Sequence, residues 1–233
     1  MSEQKKETKK PMGVISIDVE TTGATDKDVI VAIGISHGYL TENNEIATSK
    51  CPRLVLRLGK PEDISWEDHW KNKGWEKRCY DEFWSNNLNV LDKMQADTTA
   101  EKSVLCRTED SFSNILNMAL EDVEAKYEKT IVVSDTTCFD MFFVNKCLLS
   151  GGHKPIYYTR EGQYRTGFEL DSYLTGLARQ NPSTDWKDME QFKKMLHDKY
   201  IKYPLVHDHY PENDSHAVLS YFLGGWLYSI EKK

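Results

Sequence analysis

Residues 13–23 read GVISIDVETTG, and this stretch decides the fold. Apolar β-branched residues alternate with polar ones up to Glu20, which predicts a β-strand that ends in a turn at residues 21–23. Residues two apart in a strand share a face, so the carboxylates of Asp18 and Glu20 project together. Inside a fold such a pair loses solvation and repels itself unless a cation lies between the two acids. An edge strand with both acids facing water is the alternative interpretation.

The remaining pattern predicts one α/β domain. Further β-branched runs at residues 29–36 and 53–58 predict strands that form an antiparallel meander with the first, and residues 130–134 predict a later strand. Residues 60–80 show no clear period. Apolar residues at helical spacing predict helices over 81–94, 110–127, 139–149, 168–178, 185–199 and 213–230. We expect a charged, disordered tail at residues 1–12 and a single domain over residues 13–233.

Composition excludes several classes of protein. The 233 residues include 30 Lys plus Arg and 37 Asp plus Glu, a net charge of −7, which argues against a protein that coats nucleic acid through bulk positive charge. Five cysteines without a Cys-x-x-Cys pair indicate reduced thiols rather than a disulfide framework. The polar N-terminus and the short apolar stretch at residues 217–230 predict neither a secretion signal nor a membrane span. We therefore expect an intracellular protein, cytoplasmic or nuclear, without membrane contact.

Three motifs follow one another along the chain. The first is DVETTG at residues 18–23, the second is Phe139-Asp140 at the start of a predicted helix, and the third pairs His209 with Asp214 at the opening of the last helix. In order and spacing they resemble the signatures of the DEDDh-type 3′→5′ exonuclease superfamily, which includes proofreading exonucleases, oligoribonuclease and RNase T-like enzymes. The resemblance spans residues 18–214 and implies a ribonuclease-H-like α/β fold. Its mixed central sheet, an antiparallel meander followed by parallel strands, would be flanked by helices.

The same resemblance implies a metal-dependent reaction at the 3′ end of nucleic acid, DNA being the expected substrate. Two Mg²⁺ or Mn²⁺ ions would promote hydrolysis of the terminal phosphodiester and release nucleoside 5′-monophosphates. His209 would be the general base, because imidazole exchanges protons near neutral pH. The turn that would contact the terminal nucleotide contains Thr21, Thr22 and Gly23. The carboxylates that would hold the two ions are Asp18, Glu20, Asp140 and Asp214.

The third motif has a geometric requirement. Residues five apart on one regular helix point about 140° apart, so His209 and Asp214 converge only if the histidine precedes the helix. Pro211 and Asn213 are typical of a helix start and favour that arrangement. The second motif departs from the family, which usually has a His-Asn or similar pair before the aspartate. Residues 135–138 read DTTC instead, so contacts to the terminal nucleotide are expected to differ there.

Two other functions remain open. An exoribonuclease of the same fold is the first, because the motifs do not separate DNA from RNA. A non-catalytic nucleic-acid-binding module is the second, although the presence of all four acids and the histidine argues against it. No sequence feature indicates a protein partner.

Two further clusters have alternative interpretations. His207, His209 and His216 could form a zinc site with Asp208, but the chain offers no matching His or Cys pair, and His207 is otherwise only an alternative base. Four tryptophans among lysines lie within the segment at residues 62–84 and could stack on unpaired bases. Packing as a satellite core beneath a long loop is the favoured interpretation.

Overall fold

The computed structural model describes residues 10–96, 103–180 and 189–232, and within them the chain forms seven strands and eight α-helices. The strands are β1 (Met12–Thr21), β2 (Ile30–Leu40), β3 (Ile46–Lys50), β4 (Arg53–Leu56), β5 (Ser103–Cys106), β6 (Lys129–Ser134) and β7 (Gly167–Glu169). The helices are α1 (Trp66–Lys73), α2 (Lys77–Glu82), α3 (Leu88–Ala96), α4 (Glu109–Glu124), α5 (Thr137–Ser150), α6 (Leu170–Arg179), α7 (Met189–Tyr200) and α8 (Pro211–Glu231). A 3₁₀ turn at Trp84–Asn86 separates α2 from α3.

All seven strands form one mixed sheet. Its order is β5-β4-β2-β1-β6-β7, and β3 pairs with the outer part of β2. The pairs β1–β2, β2–β3 and β2–β4 are antiparallel, whereas β1–β6, β4–β5 and β6–β7 are parallel. The expected meander followed by parallel strands is thus confirmed. Strands β3, β5 and β7 are not predicted, because each has only three to five residues and lacks the longer β-branched run that predicts β4 at residues 53–58.

The two faces of the sheet bury separate cores. Helices α4 and α5 cover one face, onto which β1 directs Ile15, Ile17 and Val19. Helices α6, α7 and α8 cover the other face, which receives Val14. Because side chains alternate along a strand, Asp18 and Glu20 point to the α8 side of the sheet. The acids therefore face a helix rather than open water at a sheet edge.

Helix α8 begins directly on top of β2. Gly34 pairs with Asp18 in the sheet, and a Cβ atom at Gly34 would lie 1.9 Å from the carbonyl oxygen of Pro211. One turn later, the hydroxyls of Ser36 and Ser215 are 3.0 Å apart. The glycine is thus required for close approach, and this approach places the first turn of α8 beside the acid-bearing end of β1.

The single helix predicted over residues 81–94 is wrong. Helix α2 ends at Glu82, and α3 begins only at Leu88. Between them the side-chain amides of Asn86 and Asn87 donate to the carbonyls four residues earlier, at 3.2 and 2.9 Å. Such local side-chain bonds compete with the helical ladder and favour a turn.

Residues 60–80, which show no clear period in the sequence, contain a helix that was not predicted. Helix α1 begins after Ser65, whose hydroxyl accepts from the Asp68 backbone N–H at 3.0 Å, and it ends at Gly74 with φ 69°. These are ordinary helix caps, and the apolar face was hidden because it consists of tryptophan and histidine rather than aliphatic residues.

Smaller differences concern the ends of elements. The third predicted strand ends at Leu56, and the helix predicted from residue 168 begins at Leu170, after β7. Residues 185–188 of one predicted helix and residues 1–9 of the predicted tail lie outside the described residues. The described chain begins at Lys10, whose ammonium donates to the Ala125 carbonyl at 2.7 Å. No helix in the described ranges has both the length and the apolarity needed to cross a bilayer.

Candidate active site

The structure brings the five predicted site residues to one end of the sheet. Asp18 and Glu20 end β1, Asp140 lies in the first turn of α5, and Asp214 lies in the first turn of α8. One ligand atom each from Glu20, His209 and Asp214 all lie within 4.8 Å of one another. The charges of Asp18, Asp214 and Asp140 raise the pKa of Glu20, and those of Asp140 and Asp214 raise the pKa of Asp18, so these carboxylates lie close together. The four carboxylates and the imidazole therefore share one site.

A β-bulge separates Glu20 from the turn that follows it. Glu20 pairs with Ala32 whereas Thr21 pairs with Ile30, so Val31 is an extra residue on β2. A bulge bends its strand and redirects the neighbouring side chains, and bulges are common beside active sites. Here it marks the point where the acid-bearing strand leaves the ladder.

The third motif has the predicted geometry. Helix α8 starts at Pro211, so Asp214 lies in its first turn, while His209 precedes the helix in a left-handed conformation with φ 60°. A left-handed backbone is unfavourable for a residue with a Cβ atom and is found mostly where the surrounding structure enforces it. The backbone N–H of Asp208 donates to the Asp214 carboxylate at 3.3 Å, which fixes the loop against the helix.

A buried ion pair also holds the start of α8, and sequence reasoning missed it. Arg53 is only 3% exposed, donates to the Glu212 carboxylate at 2.9 Å, and lies 4.8 Å from the centre of the Tyr210 ring. Lys50 donates to the Asn213 side-chain oxygen at 2.7 Å. An arginine that opens an apolar strand was the available signal, because buried arginines require an acidic partner.

Burial raises the pKa values of all four acids of the site, and the charges of neighbouring site acids add to this at Asp18 and Glu20. Burial, followed by the charges of Asp140 and Asp214, raises the pKa of Asp18 well above its usual range. Burial and then the charge of Asp18 do the same to the pKa of Glu20. Burial raises the pKa of Asp140 to about 7, although the N–H of Thr136, 3.3 Å from the carboxylate, acts in the opposite direction. Burial also raises the pKa of Asp214, against the lowering effect of His207.

This set of groups fits a hard divalent cation. Four carboxylates whose charged forms are disfavoured by burial, and at Asp18 and Glu20 also by neighbouring charge, are stabilised together when positive charge lies among them. Carboxylate oxygens are the ligands that Mg²⁺ and Mn²⁺ prefer. Within the described ranges, one group of three His, Cys, Asp or Glu side chains has ligand atoms close enough together to hold a single ion. It consists of Glu20, His209 and Asp214.

The three neighbouring histidines do not gather into one cluster. His207 contacts the Asp214 carboxylate through Nδ1 at 2.9 Å, and its side chain is 73% exposed. The ring of His209 lies 5.8 Å from that of His207. His216 contacts the Thr48 hydroxyl at 3.0 Å and stacks on Tyr203. The geometry therefore gives no support to the three-histidine zinc site, but it places His207 closer to the site than the sequence suggested.

The turn at residues 21–23 is held from within. The Thr21 hydroxyl donates to the Gly23 carbonyl at 2.6 Å, and the Thr22 hydroxyl donates to the Asp28 carboxylate at 3.1 Å. A Cβ atom at Gly23 would lie 2.4 Å from the Cβ of Glu76, so close packing requires a glycine here. Contact of the turn with a nucleotide stays a prediction.

The tryptophans of residues 62–84 form a satellite core. Trp66, Trp70 and Trp84 are at most 7% exposed and pack together with Tyr80 and Val31. The favoured interpretation of a packed cluster is confirmed, and stacking of bases on these three rings would require the cluster to open. Trp75 is half-buried against the same cluster.

Comparison with known proteins shows the fold. Neither a family model nor a curated protein matches the chain. The zinc-bound E. coli ExoI–ssDNA complex is similar with a TM-score of 0.53 and 10% identity over 90% of this chain, which spans only 39% of ExoI. For E. coli exonuclease I in complex with a 5cy-dT13 oligonucleotide, the TM-score is 0.48 and the sequence identity is 12%. The match covers 92% of this chain and 40% of that one. For the nuclease domain of 3′hExo, a DEDDh family member bound to rAMP, the TM-score is 0.47 and the sequence identity is 14%. The match covers 93% of this chain and 92% of that one. The expected ribonuclease-H-like fold class is thus confirmed, with a mixed seven-stranded sheet flanked by helices.

Proposed function

We propose that this chain is a metal-dependent 3′→5′ exonuclease that hydrolyses the terminal phosphodiester of DNA. The observation that supports the proposal most strongly is the convergence of Glu20, His209 and Asp214 within 4.8 Å at the end of the sheet. The three motifs that resemble DEDDh exonucleases supply these residues, and the fold matches that of an exonuclease solved with single-stranded DNA.

In this proposal each side chain has a role that follows from its position. Asp18 and Glu20 at the end of β1, Asp140 on α5 and Asp214 on α8 hold the cations between three elements. When bound, two Mg²⁺ or Mn²⁺ ions supply the positive charge that orients the attacking water and stabilises the leaving 3′ oxygen. His209 accepts the proton from that water, because its imidazole lies on the open loop beside Glu20 and Asp214. The terminal nucleotide keeps the phosphoryl group and is released as a nucleoside 5′-monophosphate.

Contact with the terminal nucleotide and the choice between DNA and RNA depend on different features of the site. Thr21, Thr22 and Gly23 present the backbone that would meet the terminal nucleotide next to Glu20. An exoribonuclease would use the same acids and would differ only in hydrogen bonds to the 2′-hydroxyl. DNA and RNA are therefore separate arms of one experiment, and single-stranded DNA is the first substrate to test.

The test uses the wild-type chain and the isosteric variant Asp18→Asn. We expect the wild type to shorten single-stranded DNA in the presence of Mg²⁺ or Mn²⁺ and not in EDTA. Asp18→Asn should lose the activity while remaining folded, because loss of one acid also relieves charge repulsion. Asp122→Asn, at an exposed carboxylate of α4, is the matched control and should retain the activity.

Four outcomes decide among the candidate functions and test the assigned site. Cleavage of DNA that disappears in Asp18→Asn supports the proposal. Cleavage of RNA alone supports the exoribonuclease. Metal binding measured by calorimetry without cleavage of any substrate supports a non-catalytic binding module, and cleavage retained in Asp18→Asn contradicts the assigned site.

A further inference from the structure

The tryptophan cluster lies directly behind the turn that follows Glu20. Trp84 is fully buried, and its indole N–H donates to the Thr21 carbonyl at 2.8 Å. Trp70 is 2% exposed, and its indole N–H donates to the Thr22 carbonyl at 3.2 Å. Two consecutive carbonyls of the turn are thus held by indoles from a segment about 50–60 residues away in sequence.

The third buried tryptophan of the cluster behaves differently. Trp66 is 7% exposed and packs in the same cluster, but its indole N–H donates to the Asp92 carboxylate at 2.6 Å. It therefore contributes apolar area and one hydrogen bond without a bond to the turn. A comparison of Trp66 with Trp70 and Trp84 can therefore separate what the cluster contributes to stability from what its bonds to the turn contribute to the site.

Glu76, the residue before α2, makes two further contacts with the chain just after the turn. The Glu76 carboxylate accepts from the Ala24 N–H at 2.8 Å, and the Glu76 N–H donates to Asp28 at 3.0 Å. Asp28 in turn accepts from the Thr22 hydroxyl. The backbone after Glu20 consequently cannot move without breaking hydrogen bonds to the segment at residues 62–84.

The segment also contacts the other half of the site. The Phe83 ring meets the His209 imidazole edge to face, with centroids 4.9 Å apart and planes at 86°. Phe83 packs in the same manner on Trp84, at 4.9 Å. The ring therefore lies between the buried cluster and a histidine whose own backbone is in an unfavourable conformation.

We propose that the segment at residues 62–84 is a positioning element of the active site. Trp84 and Trp70 fix the turn that sets the orientation of Glu20, and Phe83 fixes the orientation of the His209 ring. The proposal rests on the proposed function and extends it, because no residue of this segment belongs to the three motifs. Residues that orient metal ligands typically change metal affinity or activity by about 10–100-fold when replaced.

The experiment compares Trp84→Phe and Trp70→Phe with the matched control Trp66→Phe. Each variant keeps an aromatic ring and loses one indole N–H. Three quantities are measured on the full chain: the melting temperature, the dissociation constant for Mn²⁺ alone by calorimetry, and kcat and KM on single-stranded DNA. All three variants should melt at lower temperature than the wild type. Only Trp84→Phe and Trp70→Phe should weaken Mn²⁺ binding and lower kcat, each by about tenfold, with KM unchanged.

A second pair of variants tests the contact with His209. Phe83→Leu keeps apolar bulk and removes the ring, and it should lower kcat by about tenfold without weakening Mn²⁺ binding. Phe83→Tyr keeps the ring and should restore kcat. Failure of Phe83→Tyr to differ from Phe83→Leu would contradict the assigned role of the ring.

The remaining outcomes separate this inference from the proposed function. Equal Mn²⁺ affinity and kcat in Trp84→Phe and Trp66→Phe would overturn the positioning role, even in an active exonuclease. A raised KM at unchanged kcat would overturn it in favour of nucleic-acid binding by the tryptophans. If the wild type cleaves nothing but Trp84→Phe and Trp70→Phe lose Mn²⁺ affinity while Trp66→Phe does not, positioning of the metal ligands stands and the exonuclease assignment fails.

Discussion

At the scale of single residues, the site depends on which histidine faces the acids. His209 lies within 4.8 Å of ligand atoms of Glu20 and Asp214, whereas His207 is 73% exposed and already contacts Asp214. The resemblance of the third motif to that of DEDDh exonucleases selected His209, and the structure adds that its backbone is left-handed, which the sequence could not show. Such a conformation arises from the contacts around the loop rather than from the residue type.

The two histidines give different predictions. We expect His209→Ala to lower kcat by about 10²–10⁴-fold, the usual contribution of a general base, with a smaller effect on Mn²⁺ affinity. His207→Ala should have a much smaller effect on kcat. Single-turnover cleavage and calorimetry measure the two quantities, and His153→Ala, at a histidine bonded to Asn114 and remote from the site, controls for loss of an imidazole. A larger loss of kcat in His207→Ala than in His209→Ala would reassign the base.

At the scale of elements, the arrangement depends on how α8 meets the sheet. Asp214 reaches the acids of β1 because the helix start lies against Gly34, where a Cβ atom would be 1.9 Å from a backbone oxygen. The backbone carbonyl of Pro211 cannot rotate out of the way as a flexible side chain can. The position of Asp214 is therefore determined by a glycine 180 residues earlier, on a different element.

Gly34→Ala should consequently damage both stability and the site. Overpacking of this kind typically costs about 1–3 kcal/mol, and displacement of the helix start should also weaken Mn²⁺ binding. Gly176→Ala is the matched control, because that glycine is exposed in α6 with open space around it. The control should gain about 0.5–1 kcal/mol from helix propensity. Urea unfolding of both variants tests the contrast, and a Gly34→Ala protein as stable as the wild type would refute the packing argument.

Elements with local signals could be predicted from the sequence, and elements set by distant contacts could not. The alternation from Val14 to Glu20 and the proline at the start of α8 are local, and both elements occur where they were expected. Strand β7 has only three residues and exists because it pairs with β6. The indole bonds to the turn link residues 48 and 63 positions apart, a relation that no periodic pattern contains.

At the scale of the whole molecule, the acids couple stability to pH and to metal. Asp140 has its pKa raised from 3.8 to about 7, and the pKa values of Asp18 and Glu20 are raised as well. The folded state therefore binds these protons more tightly than the unfolded chain does. The resulting stability is complete below the ordinary pKa near 4 and is lost as the pH rises through about 7.

Divalent metal should reverse that loss. We expect Mg²⁺ to raise the melting temperature more above pH 7 than near pH 5, because the ligands must be deprotonated to bind it. Without metal, Asp140→Asn should melt at higher temperature than the wild type above pH 7.

Burial lowers the pKa values of His37 and His216 to about 4, which changes stability in the opposite direction but independently of metal. The measured quantity is therefore the metal-induced shift, and a shift that is equal at both pH values would contradict the assigned ligands.

The polarity of cleavage tests the central claim most directly. Single-stranded DNA labelled at the 5′ end and the same strand labelled at the 3′ end are incubated with the wild-type chain and Mg²⁺. The account predicts a ladder of progressively shorter products from the 5′-labelled strand and immediate release of a labelled mononucleotide from the 3′-labelled one. The reverse pattern, or internal cuts in both strands, would contradict it.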